Sequence, residues 1–310
     1  MDCWYPITVF KKEYKGMFER NTKYTQYVPC GRCPACRRRK QNEWAYRIME
    51  EAKYSRFTAF ITLTYEDANL PFTESGQMTL DPVRFHKFTK DLRYRLGQFR
   101  YFGCGEYGDQ FERPHYHIII FYNGPEDLDY LKSSVEKCWT EGFTQFDSPV
   151  TAGRAKYCAK YSMKQIGFDY GDAIPPFARM SRRPGIGKKF LDHCNFSLFR
   201  KLDQWCVHDY QGTPYNLPRY FKERIYSRDE IEQHSLLLER SRFSRDDLHL
   251  ELSGLDQSEF FRSVRSQEVE RERLFIKHLQ KENYGYKYES KPSKVYRPTD
   301  SGEDLITDEF

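Results

Sequence analysis

Two histidines one residue apart, His115 and His117, head the apolar run in RPHYHIIIF, Arg113 to Phe121. Side chains along a strand alternate between faces, so both imidazoles point one way while Tyr116, Ile118 and Ile120 point the other. One face then feeds a core and the other presents two nitrogen donors. Glu106 stands upstream in RYFGCGEYG, and a hairpin joining the two stretches lays its carboxylate across from the histidines. Two imidazoles and a carboxylate leave coordination positions open for a substrate oxygen, which suits a catalytic divalent ion. Mg²⁺ or Mn²⁺ held there would polarise a phosphodiester as Lewis acid and template. The plainer alternative is a pair of surface histidines on a half-exposed strand beside an ordinary carboxylate.

A second cluster lies in YCAKYSMK, where the spacing of Tyr157, Lys160, Tyr161 and Lys164 puts two phenols and two ammonium groups on one helical face. A helix that only faces a core does not load one stripe with lysines, although a solvated face whose tyrosines lean on the body fits the same pattern. A phenol with a pKa of about 10 is a poor nucleophile near neutrality. Neighbouring lysines favour the phenolate, and an adjacent metal activates the phosphorus it attacks. Attack on a DNA phosphodiester gives a covalent 5′-phosphotyrosine and a free 3′-OH. The ester keeps the bond energy, so a later 3′-OH can reverse the step and rejoin the strand. Two tyrosines one helical turn apart permit alternate use.

Cys30, Cys33 and Cys36 form C-x-x-C-x-x-C beside Arg37, Arg38, Arg39 and Lys40. A structural Zn²⁺ needs four ligands, and the fourth would come from Cys3, Cys104 or a histidine. The alternatives are reduced cysteines in a DNA-contacting turn, or an iron–sulfur cluster. The basic run stands at the start of a helix, where its charge does not help the helix dipole, so phosphate contact explains it better than helix stability.

The elements that must position these residues can be read from periodicity. Trp44, Ile48 and Ala52 mark a helix, and FITLTY, Phe60 to Tyr65, alternates as a strand does. Asp81-Pro82 starts a helix whose apolar face is Phe85, Phe88, Leu92 and Leu96 and which Gly97 stops. RYFGCGEYG and PHYHIIIFY form a hairpin; Leu128, Leu131, Val135 and Cys138 mark a further helix; a short strand follows near 142–146. TAGRAKYCAKYSMKQIG is helical, with Thr151 as cap and Gly167 as stop. The order strand, helix, strand, strand, helix, strand predicts an α+β fold with an antiparallel sheet and helices packed on one face. SRRPGIGKK, Ser181 to Lys189, is a basic loop without phosphate-loop spacing. The chain divides into an arm with the cysteines and first helix at 1–55, a central domain at 56–220 and a charged extension at 221–310, whose end from Tyr284 is expected to be disordered.

Composition narrows the function classes. Residues 1–220 carry 34 Lys and Arg against 25 Asp and Glu, while 221–310 carry 16 against 20. A basic body, in a chain of which 17% is aromatic, suits a polyanion whose bases can stack, hence single-stranded nucleic acid rather than a membrane surface. The apolar run IIIF is far short of the roughly 20 residues that span a bilayer, and the start MDCWYPITVF lacks the plan of a signal peptide. A soluble protein of the cytoplasm is expected. Nine cysteines in such a chain are then reduced thiols or metal ligands.

Together these motifs resemble the HUH endonucleases, and within them the rolling-circle replication initiators of the microviruses, small single-stranded DNA phages of bacteria. FITLTY resembles the first family motif, GEYG with RPHYH the metal motif, and YCAKYSMK the paired-tyrosine motif; PCGRCPACR and SRRPGIG are similar to segments of the gokushovirus branch. The resemblance runs from about residue 29 to 190. It implies a five-stranded antiparallel sheet, RRM-like, with flanking helices and the histidines on a central strand, followed here by a helical or irregular C-terminal extension. It implies Mg²⁺ or Mn²⁺ on Glu106, His115 and His117, Tyr157 and Tyr161 as nucleophiles, and Lys160 and Lys164 as phosphate partners. The substrate it implies is a single-stranded or extruded replication origin in the host bacterial cytoplasm, with a host helicase and DNA polymerase as partners, since the chain carries no helicase motif. Tyr116 departs mildly from the family pattern, which has an aliphatic residue there. The competing expectation is a non-catalytic, zinc-stabilised nucleic-acid binder in which the histidines and tyrosines are surface and stacking residues.

Overall fold

A computed structural model describes residues 3, 7–10, 25–31, 33–108, 111–161, 170–208, 212 and 214–238, with isolated positions 256, 259, 270 and 273. The expected disorder from Tyr284 lies outside the described residues.

The strand pattern builds one central sheet. β3 (Phe57–Thr64), β4 (Phe99–Tyr107), β5 (Pro114–Tyr122), β6 (Thr144–Asp147) and β7 (Phe177–Met180) pair antiparallel in the order β6-β3-β5-β4-β7. The five-stranded α+β expectation holds, and β5, the histidine strand, is the middle one. Two small two-stranded sheets accompany it: β1 (Ile7–Phe10) with β2 (Thr25–Val28), and β8 (Cys206–His208) with β9 (Pro214–Asn216). Neither was legible from the sequence.

Local chemistry sets the helices where the patterns place them. α1 spans Pro34–Lys53 and α2 spans Pro82–Leu96. Asp81 Oδ1 caps α2 by accepting from the backbone N–H groups of Val83 and Arg84, and Gly97 ends it in a positive-φ conformation that only glycine adopts freely. α3 (Leu128–Cys138) is capped by Asp127, whose carboxylate accepts from Tyr130 N–H. α4 (Ala152–Tyr161) begins at Thr151, whose hydroxyl accepts from Arg154 N–H at 3.3 Å, while the expected stop at Gly167 lies outside the described residues. α5 (Lys188–His193), α6 (Phe196–Lys201) and α7 (Arg219–Ile225) follow, and residues 228–238 are helical after a Ser227–Glu230 capping box.

The expectation of helices on one face of the sheet is corrected by the packing. α2 and α3 cover one face, where Phe85, Phe88, Leu131 and Val135 meet Tyr116, Ile118 and Ile120 of β5. α1 and α4 cover the other, where Ala45, Ile48, Ala155 and Cys158 meet Ile119 and Phe121. The cause lies in β5: beyond His117 both of its faces are apolar, so each needs a cover. At about 25 cal/mol per Å² of apolar surface, leaving either face open would cost several kcal/mol. On β4 the glycines of FGCGEY make room for aromatics packed above them. A Cβ on Gly103 would lie 2.6 Å from the Phe85 ring and one on Gly105 2.9 Å from Phe177.

The basic loop Ser181–Lys189 is fastened to α1. Arg47 Nε donates to the carbonyl of Ile186 at 3.0 Å, and Gly187 N–H donates to Glu51 Oε2 at 2.5 Å. The same Glu51 carboxylate pairs with Arg100 of β4, so one buried acid joins helix, loop and sheet. A third small core gathers Leu191, Val207, Phe221 and Ile225 beside Tyr46 of α1.

Candidate metal and tyrosine site

Register brings the first three site residues together. Glu106 on β4 pairs directly with His115 on β5, and Cys104 with His117, so Glu106 and both histidines share the sheet face that α1 and α4 cover. The hairpin drawn from the sequence is therefore the arrangement found. Glu106 Oε1 lies 3.0 Å from His115 Nε2 and 2.8 Å from His117 Nε2. The three ligand atoms all fall within 4.8 Å of one another. The Glu106 side chain is 2% exposed, those of His117 8% and His115 17%, so the cluster opens to solvent on the His115 side.

The rings are aimed by neighbours. His115 Nδ1 lies 3.1 Å from the carbonyl oxygen of Arg113. A carbonyl only accepts, so Nδ1 carries a proton, and Nε2 then faces a carboxylate that also only accepts. An imidazole placed between two acceptors must either be doubly protonated or share a cation with the carboxylate through Nε2. His117 Nδ1 lies 3.0 Å from the hydroxyl of Thr62, directly across on β3, and its ring stacks on Phe60 at 5.2 Å. Such outer partners fix ring orientation in metal sites. Thr62 and the Arg113 carbonyl were not singled out from the sequence; the alternation of β3, which puts Thr62 on the histidine face, was the available signal.

Burial works to raise the Glu106 carboxyl, but hydrogen bonds and charge from His115 and His117 outweigh it and hold the group down at about 2. The carboxylate is thus ionised throughout the neutral range, as a ligand to a hard cation must be. The donor set of one carboxylate oxygen and two imidazole nitrogens, each on an oriented ring, fits a divalent metal with open positions.

The tyrosine helix arrives from the other direction. α4 packs over β4 and β5, and Tyr157 turns its ring edge-on to His117 at 5.0 Å and donates its hydroxyl to Glu106 Oε1 at 2.8 Å. The ring is 40% exposed, so a substrate can reach it. Lys160 is half-buried on the same helix. Tyr161 closes the helix one turn on, and Lys164 lies outside the described residues. The cysteines gather apart from this site: Cys30, Cys33 and Cys36 meet Cys3 at the start of α1. Cys104, the other candidate fourth ligand, lies on β4 in the core under α4 and is not part of that group.

Comparison with known proteins bears out the resemblance. Residues 58–166, from β3 past the end of α4, match the family described as Replication-associated protein ORF2. The chain is 29% identical over 230 residues to Replication-associated protein ORF2 of Spiroplasma virus 4, covering 67% of this chain and 71% of that protein. It is 29% identical over 217 residues to Replication-associated protein VP4 of Bdellovibrio phage phiMH2K, covering 63% of this chain and 66% of that protein. It is 27% identical over 220 residues to Replication-associated protein ORF4 of Chlamydia phage 1, covering 64% of this chain and 53% of that protein. Among the described residues no helix is long and apolar enough to cross a membrane.

Proposed function

We propose that this protein starts rolling-circle replication of a small single-stranded DNA phage genome by nicking the origin and later rejoining the displaced strand. One observation carries the reading: two imidazoles and a phenol, drawn from a strand and a helix far apart in sequence, meet on a single carboxylate oxygen of a neighbouring strand. Similarity to replication-associated proteins of three phages and the basic charge of residues 1–220 support it.

In this reading Glu106, His115 and His117 hold Mg²⁺ or Mn²⁺, which when bound polarises the scissile phosphodiester. Thr62 and the Arg113 carbonyl keep both imidazoles aimed, so little reorganisation is needed when DNA enters. Tyr157 is the first nucleophile. Its hydroxyl proton passes to water, its oxygen bonds to phosphorus, the P–O3′ bond breaks, and the 3′ oxygen leaves as a hydroxyl after taking a proton from water. Lys160 and Lys164 favour the phenolate and accompany the phosphate charge. The 5′-phosphotyrosine keeps the energy of the broken bond, so Tyr161, one turn further along, can attack at the next origin while the first end is still held. The free 3′-OH primes a host polymerase, and a host helicase separates the duplex.

Incubation with Mn²⁺ and a labelled origin oligonucleotide, followed by a denaturing gel, tests this. A covalent adduct that disappears in the Tyr157→Phe, Tyr161→Phe double variant is the expected result. Binding without adduct, across oligonucleotides tiling the cognate genome, would sink the enzyme reading and leave a non-catalytic binder.

A further inference from the structure

We propose that Cys3, Cys30, Cys33 and Cys36 hold one zinc ion as a tetrathiolate, fastening the N-terminus of the chain to the start of α1. The four sulfurs all lie within 4.8 Å of one another, with Cys33 to Cys3 at 3.9 Å and Cys30 to Cys36 at 4.0 Å. A tetrahedral ion with zinc–sulfur bonds of about 2.3 Å requires sulfur–sulfur edges of about 3.8 Å. A disulfide needs about 2.05 Å, so the observed spacing is that of ligands around a shared centre rather than of bonded pairs. A multi-iron cluster would hold its four thiolates further apart than one ion does, which leaves a single ion. A set of four sulfurs is a soft-metal set, and zinc closes such a site without leaving an open position.

The backbone is shaped for this. Gly31 takes a φ of 74° with open space around it, turning the chain between Cys30 and Cys33. Cys33 N–H then points at the Cys30 sulfur at 3.3 Å, and Cys30 N–H at the Cys3 sulfur at 3.2 Å. Cys33 is the N-cap of α1 but makes no side-chain capping bond, so its sulfur is directed elsewhere, and Cys36 sits one turn into the helix. Cys33 and Cys36 are buried, and Cys3 and Cys30 are partly so.

The site also accounts for the run Arg37 to Lys40. Basic residues in the first turns of a helix oppose its dipole. A zinc tetrathiolate carries two net negative charges at that end, so the helix N-terminus and the adjacent cations both face an anion. Cys3 is 27 residues from Cys30 in the chain, and nothing local holds it there. The ion would therefore close a long loop and set the position of the first turn of α1. That helix lies against the tyrosine helix, with Gln41 Nε2 donating to the Lys156 carbonyl at 2.9 Å.

Metal content, not DNA cleavage, tests the proposal. The full chain is expressed in zinc-supplemented medium, purified without a metal-affinity tag in a non-chelating reductant, and measured by mass spectrometry of elements. About one zinc per chain is expected in the wild type and in the His115→Ala, His117→Ala double variant, and less than a tenth of that in Cys33→Ser or Cys36→Ser. Cobalt substitution should give the intense visible and thiolate charge-transfer bands of a tetrathiolate. If the serine variants do not fold, organomercurial titration of the wild type replaces them: release of one zinc as the thiols react supports the site. A folded wild type without zinc, or zinc that survives in the cysteine variants and vanishes in the histidine variant, overturns it.

Discussion

Tyr157 on α4 donates its hydroxyl to Glu106 on β4 at 2.8 Å, onto the same oxygen that faces both histidine rings. The phenol is thereby held at the centre of the site before any substrate is present. Positioning of this kind converts an encounter into a nearly intramolecular step.

Tyr157→Phe should therefore lower the first cleavage of an origin oligonucleotide by about 100-fold or more, because it removes the attacking atom. Tyr161→Phe should leave the first cleavage within a few-fold and impair the second, joining step. Single-turnover assays with fluorescent oligonucleotides separate the two. Loss of the first cleavage in Tyr161→Phe alone would reverse the assignment.

Chelation with EDTA, or His117→Ala, should abolish cleavage while leaving most of the DNA affinity. The affinity resides in dispersed Lys and Arg, and its dependence on salt should be unchanged in the variant. Fluorescence anisotropy at two salt concentrations reads this. Equal loss of binding and cleavage would make the histidines structural.

Thr62→Val removes the partner of His117 Nδ1 while nearly preserving shape. Outer partners of metal-bound histidines are worth about 10- to 100-fold in metal affinity or activity. Mn²⁺ titration followed by electron paramagnetic resonance should show a loss in that range; unchanged affinity would mean that Phe60 stacking alone aims the ring.

The carboxyl of Glu106 is held at about 2, against 4.5 for an ordinary glutamic acid. A depressed carboxyl adds its stability in full above the unfolded value and loses it as pH falls through the folded one. The stability difference between wild type and Glu106→Gln, measured by urea unfolding in chelator, should hold from pH 7 to about 5 and shrink steadily as pH drops below about 4.5 toward 2. A difference flat across that range would rule out the ionic account.

Glu51→Ala should destabilise the fold by about 3 kcal/mol, since it leaves the Arg100 guanidinium buried without its carboxylate and frees the Gly187 N–H. Glu51 is 5% exposed and joins α1, β4 and the Ser181–Lys189 loop. Chemical denaturation reads the change, and a loss under about 0.5 kcal/mol would place the pair among surface-like bridges.

Much of the site was legible because its parts are close in sequence. The alternation of β5 alone fixes His115 and His117 on one face, and a short hairpin leaves little choice but to set Glu106 opposite them. Capping at Asp81, the Gly97 stop and the α2 and α3 stripes were likewise local, because dihedral preference and periodicity act within a turn or two.

The chain order by itself determined which residues share a strand face or a helix stripe, including the three-cysteine spacing and the Tyr157 stripe. Only the tertiary structure decided that helices cover both faces of the sheet, that Tyr157 descends onto Glu106, that Thr62 holds His117, and that Cys3 rather than Cys104 completes the cysteine group. The physical reason is range. Periodicity records what a side chain's own element does, whereas the choice of neighbour across 27 or 51 residues is made by burial of whole faces against one another, which leaves no mark at any single position.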